Sequence, residues 1–302
     1  MRVAYFGTSA FAAAILRRLT ATDHRPVLIV TPPDRRQGRG RRVTPVPAAA
    51  AAAELGIPVL HPEATERPEA LAEIRAAEPE LGVVCAFGQL LREPLLSELE
   101  LLNVHPSLLP RWRGAAPIER AIMAGDAETG VSVMRMTAGL DSGPVALAEP
   151  EPIGPDDDYG ALAERLERSG GELIVRALDL RAAAELELRE QDDAEATYAE
   201  KIAPGERRLD PALSAGELER RVRALTPHIG AYLELEGGER LGVARARAEA
   251  GDLGPGRLEA TAGTLRVGCA EGVLTLCEVR PPGGRPMDAA AYLRGHSPPR
   301  LA

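Results

Sequence analysis

The sequence predicts an α/β domain built on a largely parallel sheet, followed by a second, smaller domain of short strands. Three observations carry this expectation. Over the first 180 or so of the 302 residues, short apolar or β-branched runs alternate with longer stretches of helical pattern, the signature of βαβ units. One of those runs, LGVVCAF at 81–87, is apolar throughout, as a strand covered on both faces by helices must be. Past residue 206 the pattern changes to short runs separated by Gly, Pro and Glu-Gly turns, the spacing of a small barrel or sandwich.

Taken in order, the runs predict strands over 3–6, 26–31, 58–60, 81–87, 101–104 and 131–136. Helices are expected between them over 10–19, 46–55, 68–77, 93–99 and 115–124. A last helix over 159–184 follows an acidic DDD start, which suits the positive end of a helix dipole. It places Leu162, Leu166, Leu173, Ile174, Ala177 and Leu178 on one stripe. Residues 185–196 (ELELREQDDAEA) are polar and without period, so 185–206 is expected as a linker between domains at 1–184 and 207–302. Ser214-Ala-Gly-Glu217 is a capping box that opens a helix, and strands are expected over 231–235, 241–245, 256–260, 264–267 and 273–279.

Composition narrows the function classes. Apolar residues make up 45% and charged residues 27%, which excludes a disordered chain, and no apolar run approaches the ~20 residues of a membrane span. The N-terminus has a short apolar stretch and then a glycine turn, unlike a secretory signal. Cys85, Cys269 and Cys277 are too few and too scattered for a disulfide framework or a thiolate metal site. They read as buried small hydrophobes, and a reducing cytoplasm is the expected compartment. Of 36 basic residues only Lys201 is lysine, so arginine richness reflects a coding bias and is not by itself a sign of nucleic-acid binding. Residues 1–204 carry 22 basic and 32 acidic side chains, a balance of −10, and residues 205–302 carry 14 and 13, a balance of +1. The C-terminal third is thus the less hostile surface for a polyanion.

In open α/β sheets ligands sit beyond the carboxyl ends of the strands. The strand at 101–104 runs straight into such an end, and Asn103 and His105, two residues apart, leave it on the same face. Thirty-six residues later Asp141 lies in a glycine-flanked loop, GLDSG. Each fits an ordinary role taken alone: a turn cap, a hydrogen-bonded loop histidine and a turn aspartate.

The continuous string NVHPSLLPRWRGAAPI at 103–118, followed by AGDAETGVSVM and GLDSG, resembles the folate-dependent formyltransferases. The resemblance covers nearly the whole chain. Phe6-Gly7-Thr8 is similar to the family's opening turn, Pro33-Asp34-Arg35 with Gly38-Arg39-Gly40 to its inserted loop, and Thr197 to Ile202 (TYAEKI) to the entry of its second domain. The Asn-x-His, SLLP and Asp-x-Gly set is specific for the superfamily, and GAAPI with the GRG loop for its tRNA-directed branch. The resemblance implies a Rossmann-like catalytic domain and an OB-like small β-barrel at the C-terminus. It implies transfer of the formyl group of 10-formyltetrahydrofolate to the α-amine of methionyl initiator tRNA, with no metal and no covalent nucleophile.

That reaction develops negative charge on the formyl oxygen and must move a proton from the amine to the leaving nitrogen. By resemblance, Asn103 and protonated His105 stabilise the oxyanion, and Asp141 holds the imidazole charged and oriented. Ser107, Leu108, Leu109 and Pro110, with Ala86, Phe87, Gly88 and Leu90, are implied to line the folate pocket, and Leu140 to close it. On the acceptor side, RRQGRGRR at 35–42 holds five arginines, Arg35, Arg36, Arg39, Arg41 and Arg42, in a loop. In the family this loop enters the tRNA acceptor stem. It is not a dinucleotide fingerprint, because Val43 stands where the third glycine would be. Lys201, kept where lysine is otherwise absent, is a candidate for the tRNA terminus.

Two departures stand out: Ser9 where a proline commonly follows Gly-Thr, and His228-Ile229 where an aromatic-proline pair is common. Trp112 fits equally a base- or pterin-stacking residue and a cover for the domain junction. The rival reading keeps the folate chemistry and makes an amino-sugar nucleotide the acceptor. The arginine loop and the second domain favour tRNA. A monomer without membrane or protein partner is the default expectation.

Overall fold

A computed structural model describes residues 1–33, 35–37, 42–261, 263–297 and 299–301, the side chains at 35–37, 42 and 43 excepted. The strands, in chain order, are β1 Val3–Gly7, β2 Pro26–Val30, β3 Arg35–Gln37, β4 Arg42–Thr44, β5 Val59–Leu60, β6 Leu81–Cys85, β7 Leu101–His105, β8 Arg113–Gly114, β9 Glu128–Arg135, β10 Val145–Pro152 and β11 Tyr198–Ala199. They are followed by β12 Ala231–Glu234, β13 Arg240–Glu249, β14 Leu258–Thr261, β15 Thr264–Gly268, β16 Val273–Arg280 and β17 Met287–Asp288. The helices are α1 Ala10–Thr20, α2 Pro47–Leu55, α3 Pro68–Ala76, α4 Leu95–Glu98, α5 Pro117–Ala124, α6 Tyr159–Ala182, α7 Ala215–Leu225 and α8 Ala289–Gly295. Two compact units result. The first comprises Met1–Gly114, Thr129–Pro152 and Ala163–Tyr198, and the second Ala115–Glu128, Ile153–Leu162 and Ala199–Ala302.

The first unit is built on a seven-stranded sheet in the order β10-β9-β7-β6-β1-β2-β5. Strands β5, β2, β1, β6 and β7 run parallel, and β9 returns antiparallel to β7. The chain leaves β1 toward β2 on one side and resumes with β6 on the other, so the order reverses beside β1, where such sheets open a crevice at their carboxyl edge. The all-apolar runs are buried as expected, Val3, Ala4, Tyr5 and Phe6 completely. Ser9 is the N-cap of α1, its hydroxyl accepting from the Ala12 amide, which gives this departure a local purpose. Cys85 is buried against Tyr5, and burial pushes its thiol up to about 12, as fits a packing residue.

Four differences from the expected elements have physical causes. Strand β6 stops at Cys85 because Ala86 turns into the left-handed region at φ 44. The expected helix at 93–99 shrinks to α4, which begins after Pro94. The arginine-rich loop is framed by a hairpin, with Arg35 opposite Thr44 and Gln37 opposite Arg42. Strand β10 (VALAEPEP) was hidden by its prolines, which an edge strand tolerates. In addition, residues 185–198, expected to begin a linker, are hydrogen-bonded into the first unit: Arg189 and Val145 exchange both backbone bonds, at 2.8 and 2.9 Å.

The second unit centres on an antiparallel sheet in the order β12-β13-β16-β15-β14, with β17 on β16. Its core is formed by residues such as Leu218, Val222, Leu241, Leu265, Leu274 and Val279. Helix α7 begins with the expected capping box: Ser214 accepts from the Glu217 amide, and the Glu217 carboxylate accepts from the Ser214 amide. Helix α5, expected within the 1–184 domain, packs here against α7. Arg220 donates to the Met123 carbonyl at 3.1 Å, and Arg120 grips the Glu206 carboxylate with two bonds of 2.6 and 3.0 Å. His228 stacks on Tyr159 with ring centroids 3.6 Å apart and bonds the buried Glu119 carboxylate at 2.9 Å. The ring at this unusual position thus has both a stacking and a polar partner. Among the described residues no helix is long and apolar enough to cross a membrane.

The Arg120–Glu206 pair yields a stability prediction. Its hydrogen bond to Arg120 holds the Glu206 carboxyl below its ordinary value of 4.5. A depressed carboxyl stabilises the fold above the unfolded-state value, and that contribution is lost as pH falls through the folded-state value. Glu206→Gln is therefore expected to melt below wild type at pH 7. The gap should close as pH is lowered from about 4.5 downward, as thermal melts across pH 3–7 would show.

Candidate active site

The candidate residues meet at the carboxyl edge of the first unit's sheet. Asn103 and His105 both lie inside β7, two positions apart and on one face, so the histidine belongs to the strand and not to the turn after it. Antiparallel β9 fixes them in register, Asn103 opposite Met134 and His105 opposite Ser132. Both side chains are nearly buried. Asp141 reaches back from the 139–143 loop: its Oδ1 lies 3.5 Å from Asn103 Nδ2 and its Oδ2 3.7 Å from His105 Nδ1. The Gly114 amide donates to the same Oδ2 at 2.9 Å. The three residues separated in sequence are thus one cluster.

The imidazole is held from both sides. Its Nε2 is 2.9 Å from the Trp112 carbonyl, which can only accept, so this nitrogen carries a proton. The other nitrogen faces Asp141. A proton there completes an ion pair with the carboxylate.

Backbone strain concentrates around this cluster. Ala86 (φ 44), Trp112 (φ 62) and Asp141 (φ 44) are three of the five non-glycine residues found in the left-handed region among the described residues. Such conformations cost of order 1–3 kcal/mol each and persist where surrounding bonds enforce them. The turn after β7 is enforced by its own bonds. The Ser107 hydroxyl donates to the Arg111 carbonyl at 2.6 Å, and Ser132 donates to Ser107 O at 2.8 Å while accepting from the Leu109 amide at 3.1 Å. In the 139–143 loop a Cβ on Gly143 would lie 1.9 Å from the Arg135 carbonyl oxygen, so only glycine fits.

The other expected residues divide. Ala86, Gly88, Leu90 and Leu140 are exposed, Leu90 by 68% and Leu140 by 58%, and Leu108, Leu109 and Pro110 are partly so. Large apolar side chains left open beside polar groups suit a flat, ring-bearing ligand. Ser107 is fully buried and its hydroxyl serves the turn, and the Phe87 ring packs edge-on against Phe6 at 5.6 Å, so only backbone is offered there. The Phe87 carbonyl accepts from the Thr8 hydroxyl, which ties the β1 end to the β6 end. Arg39 and Arg41 lie outside the described residues, as do the side chains of Arg35, Arg36 and Arg42. Lys201 belongs to the second unit and is exposed.

Sequence reasoning missed four participants: the Trp112 carbonyl, Arg113, Gln191 and Thr197. Gln191 donates to the carbonyls of Asp141 and Gly143 at 2.8 and 2.7 Å, and its own amide oxygen accepts from buried Arg113 at 3.0 Å. Thr197 accepts from the Trp112 amide at 2.9 Å. No periodicity in the polar 185–196 stretch marks Gln191. The one available signal was a lone glutamine among acidic neighbours.

Comparison with known proteins adds independent evidence. A family model described as formyl transferase matches residues 1–178, and one for the formyl transferase C-terminal domain matches 201–297. The chain is 43% identical over 300 residues to the methionyl-tRNA formyltransferase of Methylococcus capsulatus, covering 98% of this chain and 97% of that one. It is 45% identical over 290 residues to the enzyme of the same name from Pseudomonas paraeruginosa, covering 95% and 93%. Among solved structures, HypX from Aquifex aeolicus in complex with tetrahydrofolic acid shares the fold at TM-score 0.68 and 16% identity. That match covers 97% of this chain, which spans about half of HypX, 47% of its length. The sugar 3N-formyl transferase WlaRD shares it at TM-score 0.67 and 13% identity, covering 91% of this chain and 97% of that one. Both halves match in order and at this identity across nearly the full length, so the chain belongs to the methionyl-tRNA formyltransferase family.

Proposed function

We propose that this protein transfers the formyl group of 10-formyltetrahydrofolate to the α-amine of methionyl initiator tRNA, giving N-formylmethionyl-tRNA for translation initiation. The observation that carries the reading is the Asn103–His105–Asp141 cluster at the sheet's carboxyl edge, in a chain of this family. Asn103 Nδ2 supplies a hydrogen bond to the formyl oxygen as it gains negative charge, and the positive charge of the protonated His105 ring stabilises that oxygen. Asp141 holds the ring charged and oriented, and its carboxylate assists transfer of the amine's proton, which ends on the departing N10. As the new C–N bond to the methionyl amine forms, the old bond to N10 breaks, so a carbonyl is restored. The exposed Leu90 and Leu140 side chains and the turn at 107–110 bind the folate. The first unit carries the chemistry, and the second unit with the arginine-rich hairpin engages the tRNA. The reaction places the enzyme in the cytoplasm.

The direct test incubates the protein with 10-formyltetrahydrofolate and methionyl initiator tRNA and reads the blocked amine by acid-urea gel, with elongator methionyl-tRNA and an amino-sugar nucleotide as alternative acceptors. Formylation of the initiator is expected. Formylation of the sugar nucleotide alone would overturn the reading. Replacing Arg39 and Arg41 by alanine is expected to weaken tRNA binding at 0.1 M salt by about tenfold. The plot of log affinity against log salt should become shallower by roughly one to two units, with the KM for folate unchanged.

A further inference from the structure

The two groups that hold the His105 ring are themselves held by one segment of chain. The ring contacts the Asp141 carboxylate through Nδ1 and the Trp112 carbonyl through Nε2. Asp141 and Trp112 both sit in the left-handed region, at φ 44 and φ 62, which is uncommon for residues with a Cβ and most unfavourable for a bulky one such as Trp112. The 189–197 segment secures each of them. Gln191 donates both amide hydrogens into the loop, to the carbonyls of Asp141 and Gly143. Six residues on, the Thr197 hydroxyl accepts from the Trp112 amide, and the Thr197 carbonyl accepts from the Arg113 amide at 2.9 Å. The buried Arg113 side chain closes the frame, bonding the Gln191 amide oxygen at 3.0 Å and pairing with Asp193 at 2.8 Å. One end of the segment is anchored by the Arg189–Val145 bridge and the other by the Thr197 amide, which donates to the Pro110 carbonyl at 3.2 Å.

We infer that residues 189–197 are a positioning strap for the His105 imidazole, with Gln191 and Thr197 as positioning residues that act through Asp141 and Trp112. The inference rests on the catalytic reading of the cluster given above. Neither residue needs to touch a substrate. Their effect is on orientation: a displacement of about 1 Å in a catalytic group can cost ~10²-fold in rate. Loss of the Gln191 donors leaves two loop carbonyls without their bonds and frees Asp141 to relax toward an ordinary backbone conformation.

The test uses the full chain and four variants. Gln191→Met keeps the length and removes both donors and the acceptor. Gln191→Glu keeps an acceptor for Arg113 and removes the donors. Thr197→Val removes the hydroxyl, and Thr197→Ser keeps it. Gln191→Met, Gln191→Glu and Thr197→Val are each expected to lower kcat by about 10–100-fold. The KM for folate and tRNA should stay within about threefold, and Thr197→Ser should remain within about threefold of wild type in kcat. A readout independent of turnover is the Gly114 amide, which donates to the Asp141 carboxylate. Its hydrogen exchange, followed by NMR, should accelerate by at least about tenfold in Gln191→Met, while amides in β6 keep their protection. A kcat that stays within threefold of wild type in Gln191→Met and Thr197→Val, while Asp141→Asn is inactive, would overturn the strap and leave the catalytic reading standing. So would equal loss in Thr197→Ser and Thr197→Val, or unchanged Gly114 exchange. Full activity in Asp141→Asn as well would overturn the catalytic reading and the strap with it.

Discussion

Replacement of His105 by alanine is expected to lower kcat for formyl transfer by about 10²–10⁴-fold, and Asn103→Ala by about 10²–10³-fold, with little change in either KM. The reasoning is electrostatic. Charge develops on the formyl oxygen only as the amine attacks, so a donor aimed at that oxygen stabilises the transition state far more than the ground state. Such a donor is strong here because Asn103 and His105 are nearly buried, where little water competes. His105→Ala also strands the Trp112 carbonyl, which costs about 1–3 kcal/mol if it is left unpaired. His105→Gln separates the two effects. Its amide can still donate to Trp112, so it should melt near wild type yet stay inactive. Single-turnover formylation on acid-urea gels checks this, and activity within tenfold of wild type in both His105 variants would remove the histidine from the mechanism.

The second large effect is on the fold. Gly143→Ala would place a methyl group 1.9 Å from the Arg135 carbonyl oxygen, and that oxygen belongs to a strand that cannot move aside without disturbing β7. Overpacking usually costs 1–3 kcal/mol, and a clash with backbone lies at the upper end, so a loss of about 3 kcal/mol is expected. At 2–4 °C per kcal/mol this is a fall of roughly 6–12 °C in Tm. The displaced loop carries Asp141, so turnover should drop further than stability does. Gly205→Ala is the control, because its Cβ would meet no neighbour within 4 Å. An unaltered melt for Gly143→Ala would show that the loop yields, contrary to this account.

Much of the architecture was legible because local pattern and tertiary role agree. The runs at β1, β2 and β6 are continuous and apolar because helices cover both faces, and the Ser214–Glu217 box marks the start of α7 to the residue. What escaped was decided by contacts distant in sequence. Strand β10 contains Pro150 and Pro152 and exists because β9 offers it an edge. The 185–198 stretch has no period of its own, and its order comes from bonds to Val145, Asp141, Gly143 and Trp112, some 45 to 85 positions away. Within the candidate site, Asn103, His105 and Asp141 could be read from motif and strand register. Gln191 and Thr197 could not, because a hydrogen bond to a backbone carbonyl or amide leaves no trace in the partner's residue type.

The second unit takes Ala115–Glu128 and Ile153–Leu162 from the middle of the chain, so the polypeptide crosses between units five times. A nascent chain therefore cannot finish one unit before starting the other. Helix α5 emerges with Ile118, Ala121 and Ile122 on its apolar side, and its partner α7 is not synthesised until Leu225, a hundred residues later. At typical synthesis rates of 5–20 residues per second, that leaves α5 without α7 for roughly 5–20 s. During that interval its apolar side is exposed surface prone to non-native association. For the same reason a cut at any single point between residues 162 and 206 separates segments that belong together, and a clean split of this enzyme into two independently folding halves is not available to genetics or to proteolysis.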